Sequence, residues 1–309
     1  MFQFFSRKIN KQRKNRTRKF KKLNCSPIVA GKTPVKESCL TPDILNKIKD
    51  QYNKDHTDNP INKKTPSDVW YELHNRLTEC DSEECWLKEL DDEEMKEQIQ
   101  QHIFAPKQPP EWAKNPNEWL SNFELDDVMK QYEERYKCFE FLHPTTIDFD
   151  EKKSDNQCVS NELCNFSLES QIDNKKTKIG IIFNLDKSTE SGSHWVSLFI
   201  DIENKFIFFF DSAGSSIPDE IKVFVDRVIE QGKQLEKKIR FKFYENYPFE
   251  HQQGNTECGM YSLFFIITML TGEYDGKKLK TAREKINFFK RKLISDKYVE
   301  KYRNIYFNK

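Results

Sequence analysis

Residues 192–214 read GSHWVSLFIDIENKFIFFFDSAG. Two apolar runs, His194–Asp201 and Lys205–Asp211, flank a tight polar turn near Glu203-Asn204, the pattern of an antiparallel hairpin. Paired residue numbers in a hairpin sum to a constant, here near 406, and His194 and Asp211 sum to 405. The reading therefore sets His194, at the start of one strand, opposite Asp211, at the end of the next. Directly opposed residues lie about 4.5–5.5 Å apart at Cβ, near enough for a carboxylate to hold an imidazole N–H. Such a pair supplies the base and the orienting acid of a nucleophilic triad. Taken alone, two ordinary polar residues at strand ends are the better reading.

A second stretch, EHQQGNTECGMYSLFFIITML at residues 250–270, supplies the missing part. Cys258 to Leu270 is almost wholly apolar, which predicts a short buried helix. Cys258 stands at its first turn, behind a polar loop. Unpaired N–H groups at a helix start stabilise a thiolate and draw the thiol below its free value of about 8.5. Gly259 would let a substrate backbone approach closely. Gln252 and Gln253, six and five residues upstream, can each offer an amide to an oxyanion beside the sulfur. A free cysteine is more often a small buried hydrophobe, but the junction of polar loop and helix start favours the reactive reading.

His-Trp, then Asp-Ser after an aromatic strand, then Gln-x5-Cys-Gly resembles the ubiquitin-like-protein-specific (SUMO/adenain-type) cysteine proteases. The group includes the adenovirus endopeptidase. The loop GNTECGMYS is similar to the viral branch, that of the polyprotein-processing protease of African swine fever virus. The resemblance spans roughly Trp119 to Leu270. It implies a ubiquitin-like-protease core, adenain-like and papain-related, with a central mixed sheet flanked by helices. It implies Cys258 as nucleophile, His194 as general base and acid, Asp211 as its orienter and Gln252 as oxyanion donor, with Gln253 a near competitor. Trp195 and Trp119, the latter in EWLSNFELDDV, would form a narrow tunnel admitting glycines, hence cleavage after Gly-Gly. Asn122 stands where the family has an acid that contacts a ubiquitin-like partner. SCLTPDILNKIKDQYN (residues 38–53) resembles the extra N-terminal part of the viral enzymes.

Composition bounds the rest. The chain has 309 residues, 36% hydrophobic and 33% charged, with 25 Phe, so a real core coexists with long solvated stretches. Residues 1–36 carry twelve basic and no acidic residues, and the remainder 39 basic against 50 acidic, a net −11. Ten of the twelve lie between Arg7 and Lys22, so 1–36 is expected to be a disordered basic tail with DNA or another polyanion as its partner. Residues 37–105 are read as a helical N-terminal arm domain, with helices at Thr41–Tyr52 and Ser67–Thr78. Residues 106–116, rich in Pro, are a linker, and 117–309 the protease core. There, a helix is expected at Asn122–Tyr136, a strand at Lys178–Leu185, a helix from Pro218 to Gln234 and a strand at Ile239–Glu245. A charged amphipathic helix or pair of helices runs from Leu279 onward. The mixed order gives an α+β fold.

The apolar run near Leu263–Leu270 is too short to span a bilayer, and MFQFF is no secretion signal. The reading therefore sets the protein in a reducing compartment, with all eight Cys free. Cys25, Cys39, Cys80 and Cys85 match no zinc spacing and are read as buried thiols. His251 is read as a loop or substrate-contact residue. Asp91 to Glu94 and Glu124, Asp126 and Asp127 are read as solvated helix starts. The expected function is a cofactor-free cysteine endopeptidase that cuts viral structural polyproteins at Gly-Gly-Xaa, in the host cytoplasm (the viral factory) and the virion. The rivals are an isopeptidase on ubiquitin-like conjugates, an acyl transferase using a coenzyme thioester, and a nucleic-acid-binding virion protein working through its basic arm.

Overall fold

The computed structural model describes residues 20–153 and 156–309. Most of the basic block, residues 7–19, lies outside them. The N-terminal helices are α1 (Pro42–Asp55), α2 (Pro66–Arg76), α3 (Glu83–Trp86) and α4 (Glu93–Ile103). Thr65 and Asp92 cap α2 and α4 with their side chains, as hydroxyl and carboxylate oxygens do for orphan N–H groups. Their apolar faces, with Leu45, Ile48, Leu73 and Ile103, enclose Trp86 in one cluster.

Then come α5 (Asn122–Arg135), β1 (Phe139–Thr146), α6 (Asn161–Cys164), α7 (Leu168–Asp173), β2 (Lys178–Asn184), β3 (Trp195–Asp201) and β4 (Phe206–Phe210). The remaining elements are α8 (Asp219–Gln234), β5 (Lys242–Glu245), α9 (Cys258–Thr271), the small hairpin β6 (Glu273–Tyr274) and β7 (Lys277–Lys278), α10 (Ala282–Arg291), α11 (Asp296–Glu300) and α12 (Arg303–Tyr306). Strands β1 to β5 form one sheet in that order, parallel at both edges and antiparallel in the middle. The fold is α+β.

The strands explain the layering. All seven residues of β2 are buried, as expected of a central strand covered on both faces. The FIFFF run of β4 turns Phe206, Phe208 and Phe210 toward α9 and Ile207 and Phe209 toward α8. Phe210 stacks on Phe265 of α9 at 4.7 Å. Gly180 gives α9 its close approach, because a Cβ there would stand 2.9 Å from Ile266. Among the described residues, no helix is long and apolar enough to cross a membrane.

Four expectations are corrected here. Order begins inside the presumed tail: Leu23, Ile28 and Val29 are buried, and Ser26 N–H reaches Ile103 O at 2.9 Å. Apolar side chains and backbone pairing override charge repulsion from Phe20 onward. The Pro-rich stretch is anchored too, with Trp112 buried against Phe307 at 5.2 Å. Six of the eight cysteines are bonded, as Cys25–Cys39, Cys80–Cys85 and Cys158–Cys164. Folding brings their Cα atoms to 5.1, 5.3 and 6.3 Å, within bonding range; Cys138 and Cys258 stay free. Last, β3 and β4 pair with a sum of 407, Ser197 opposite Phe210 and Asp201 opposite Phe206. Asp211 therefore lies beyond the last pair, on the diagonal from His194.

Candidate active site

The diagonal still suffices. An imidazole spans the gap, and His194 Nε2 lies 2.6 Å from Asp211 Oδ1. Asp211 is 1% exposed, and its oxygens also accept the N–H groups of Ala213 (2.9 Å) and Ser215 (3.1 Å). Asn246, just past β5, holds its backbone: Asp211 N–H donates to Asn246 Oδ1 at 3.0 Å, and Asn246 Nδ2 donates to Asp211 O at 2.7 Å. Burial tends to raise the Asp211 carboxyl, but the bond and charge of His194 and these N–H groups bring it below its ordinary value.

With Nε2 on Asp211, Nδ1 is the nitrogen left for the sulfur. Burial works against a charged His194, yet hydrogen bonds to Asp211 and Cys258 outweigh it and raise the imidazole to about 10. Such a ring keeps its proton at neutral pH. Cys258 opens α9, whose N-cap residue Glu257 makes no side-chain cap. The N-cap side chain thus leaves the first-turn N–H groups of α9 uncapped.

Gln252 is buried and Gln253 exposed. Ser212 Oγ–H donates to Gln252 Oε1 at 2.7 Å, and Gln252 Nε2 donates to Gly254 O at 2.9 Å. The amide is thereby fixed with its oxygen inward, and one Nε2 hydrogen remains to be offered. The Ser212 carbonyl accepts the N–H groups of both His251 and Gln252, each at 2.9 Å. Gln253 meets the protein through its backbone N–H, 3.1 Å from Asp296.

Trp119 and Trp195 line one cavity of about 480 Å³, together with Asn122, Pro144, Asn184 and Ser193. Trp195 Nε1–H donates to Leu120 O at 2.9 Å. Ser188 also lines this cavity, and Asp148 pins it by accepting its N–H (3.0 Å) and hydroxyl (2.7 Å).

Two assignments change. A Cβ on Gly259 would stand 3.0 Å from Leu120 Cβ and 3.4 Å from Trp195 Cδ1. Its missing side chain thus seats α9 against the groove wall and faces no substrate backbone. His251 does lie in the loop before α9, but it is fully buried, so the substrate-contact alternative fails. It donates through Nε2 to Phe289 O (2.8 Å) and accepts Ile294 N–H at Nδ1 (3.3 Å), with burial lowering its pKa. A neutral ring with both nitrogens used belongs to the core. Ser212 entered the reading only as part of the Asp-Ser motif, and Asn246 and Asp296 went unmarked because a single polar residue in a loop or at a helix start carries no spacing signal.

Residues 143–304, just over half the chain, match the model of the Ulp1 protease family, C-terminal catalytic domain. A protein of Acanthamoeba polyphaga mimivirus named as a thiol protease is 32% identical over 185 residues, covering 58% of this chain and 56% of that relative. The chain thus spans little more than half of that protein's length. The SUMO-1 cysteine protease of African swine fever virus is 27% identical over 229 residues, 68% of this chain and 80% of the relative. The crystal structure of the African swine fever virus protease aligns over 92% of this chain and 95% of that one, with a TM-score of 0.62 at 20% identity. At that identity the likeness shows the fold.

Proposed function

The chain belongs to the Ulp1 protease family, and on that footing we propose that it is a cysteine endopeptidase that cleaves after Gly-Gly in viral structural polyproteins. The observation that carries the reading is His194, 2.6 Å from the buried Asp211 carboxylate, with Cys258 at the start of α9 among the groups that raise its imidazole. In this reading the Cys258 thiolate attacks the glycyl carbonyl. The oxyanion that forms accepts from the Cys258 backbone N–H and from Gln252 Nε2. His194 gives its proton to the departing amine as the C–N bond breaks, leaving a thioester. It then takes a proton from water, whose oxygen displaces the sulfur and frees the acid. Trp119 and Trp195, which line one cavity, support a narrow groove suited to glycines. Two viral relatives bearing protease names support the viral setting.

A second reading, removal of a ubiquitin-like modifier, draws on the name of the African swine fever virus relative, a SUMO-1 cysteine protease. Turnover of a fluorogenic Gly-Gly-Xaa peptide, compared with that of a ubiquitin-like C-terminal ester, separates the two. The endopeptidase reading expects the peptide to be cut without help from a folded modifier; cleavage of the ester alone would overturn it. Within either reading, Gln252→Ala is expected to lower kcat about 10²–10³-fold with little change in KM, since its amide acts on charge that develops only in the transition state. Steady-state kinetics on the peptide check this, with Gln253→Ala close to the parent.

A further inference from the structure

The residue before the nucleophile carries a charge that caps nothing. The Glu257 carboxylate turns inward, is 3% exposed, and receives two bonds from Arg303, Nε at 2.9 Å and Nη2 at 3.0 Å. Arg303, at the start of α12, is itself 4% exposed. Its Nη1 donates to Glu118 O at 2.8 Å and its Nη2 to Thr256 O at 3.3 Å. The guanidinium carbon lies 4.3 Å from the centre of the Trp112 ring. One planar fork therefore grips the loop before Cys258, the residue before Trp119 and its own C-terminal helix.

A buried ion pair is poor evidence for stability, since well-packed apolar residues often replace one at no loss. What the fork adds is geometry, which an ammonium cannot reproduce. It also adds restraint. An unheld carboxylate at an N-cap would bond the first-turn N–H groups, the donors a thiolate and an oxyanion need.

We propose that Arg303 is a positioning residue for Cys258: it fixes the Thr256–Cys258 step against the Trp119 side of the groove and keeps the Glu257 carboxylate off the open N–H groups of α9. The proposal rests on Cys258 being the nucleophile.

The test uses the full chain at a temperature where circular dichroism shows each variant folded. Iodoacetamide alkylation of Cys258, relative to the exposed free thiol Cys138, is followed by mass spectrometry. Arg303→Lys, which keeps the charge and loses the fork, is expected to lower the Cys258:Cys138 rate ratio about tenfold. Its kcat should fall at least as far with KM within about twofold, as for a misplaced reacting atom. Arg303→Met combined with Glu257→Leu, an apolar exchange, should melt near the parent yet keep the low ratio, because Thr256 O and Glu118 O stay unclamped. A folded Arg303→Lys with the parent's ratio, or a double variant that regains it, would reduce the pair to a structural one and overturn the proposal. If Arg303→Lys does not fold, the double variant decides. Alkylation needs no peptide, so a parent protein that cleaves nothing would count against the proposed function and leave this test standing.

Discussion

Cys258→Ala is expected to abolish peptide cleavage, with kcat falling by roughly 10⁴–10⁶-fold, the range seen when a triad nucleophile is removed. The size follows from the division of labour at the head of α9. Without a sulfur no thioester forms, and water must attack the glycyl carbonyl directly. Gln252 and the helix N–H groups can still polarise that carbonyl, which sets the residual rate. The variant should fold, because Ala suits a helix start and Cys258 contributes little volume to the surrounding core. Single-turnover hydrolysis of a Gly-Gly-Xaa peptide, with near-ultraviolet circular dichroism as the folding check, makes the measurement. Cys138, the other free thiol among the described residues, is the comparator: Cys138→Ala should match the parent. Cleavage by Cys258→Ala within a hundredfold of the parent would place the nucleophile elsewhere.

Asp211→Asn is expected to lower kcat by about 10²–10⁴-fold near neutral pH and to move the alkaline limb of the rate profile downward. In the parent, burial disfavours the charged ring, but Asp211 and Cys258 hold His194 at about 10. In the proposed mechanism, the acid form that would protonate the leaving amine therefore persists until pH rises through that value. An amide brings no charge, so burial gains ground, the proton leaves at lower pH, and the ring loses its fixed orientation. The linkage to stability has a definite sign. His194 titrates higher folded than its ordinary 6.5, so its contribution is complete below that pH and is lost as pH climbs toward 10. Asp211 lies below its ordinary 3.8, so its contribution is complete above that pH and is lost as pH falls through the folded value. The difference in unfolding free energy between parent and variant should thus be widest between about pH 4 and 6.5. Denaturant melts across pH check it, and a difference that grew toward pH 10 would refute the assignment.

Much of the framework is visible in the sequence because burial leaves a periodic trace. The seven buried residues of β2, the FIFFF run of β4 and the apolar α9 all announce themselves. The first strand of the sheet does not, since Phe139–Thr146 ends in His-Pro-Thr-Thr and its last four residues are exposed or half-buried. The sum for His194 and Asp211 is two short of the observed register, yet the pair still meets because an imidazole reaches a diagonal neighbour. What escapes a linear reading is what depends on distant chain meeting. Cys25 is bonded to Cys39 within a cluster that also holds Leu23 and Val29. Asn246 supports Asp211 across 35 residues, and Arg303 reaches Glu257 across 46. No spacing rule announces such partners.

That last separation bears on how the protein is made. Cys258 and Glu257 are translated 45 and 46 residues before Arg303, the side chain proposed to position them. On the proposed role of Arg303, the nascent enzyme would work at reduced rate until that residue has been made and folded into place.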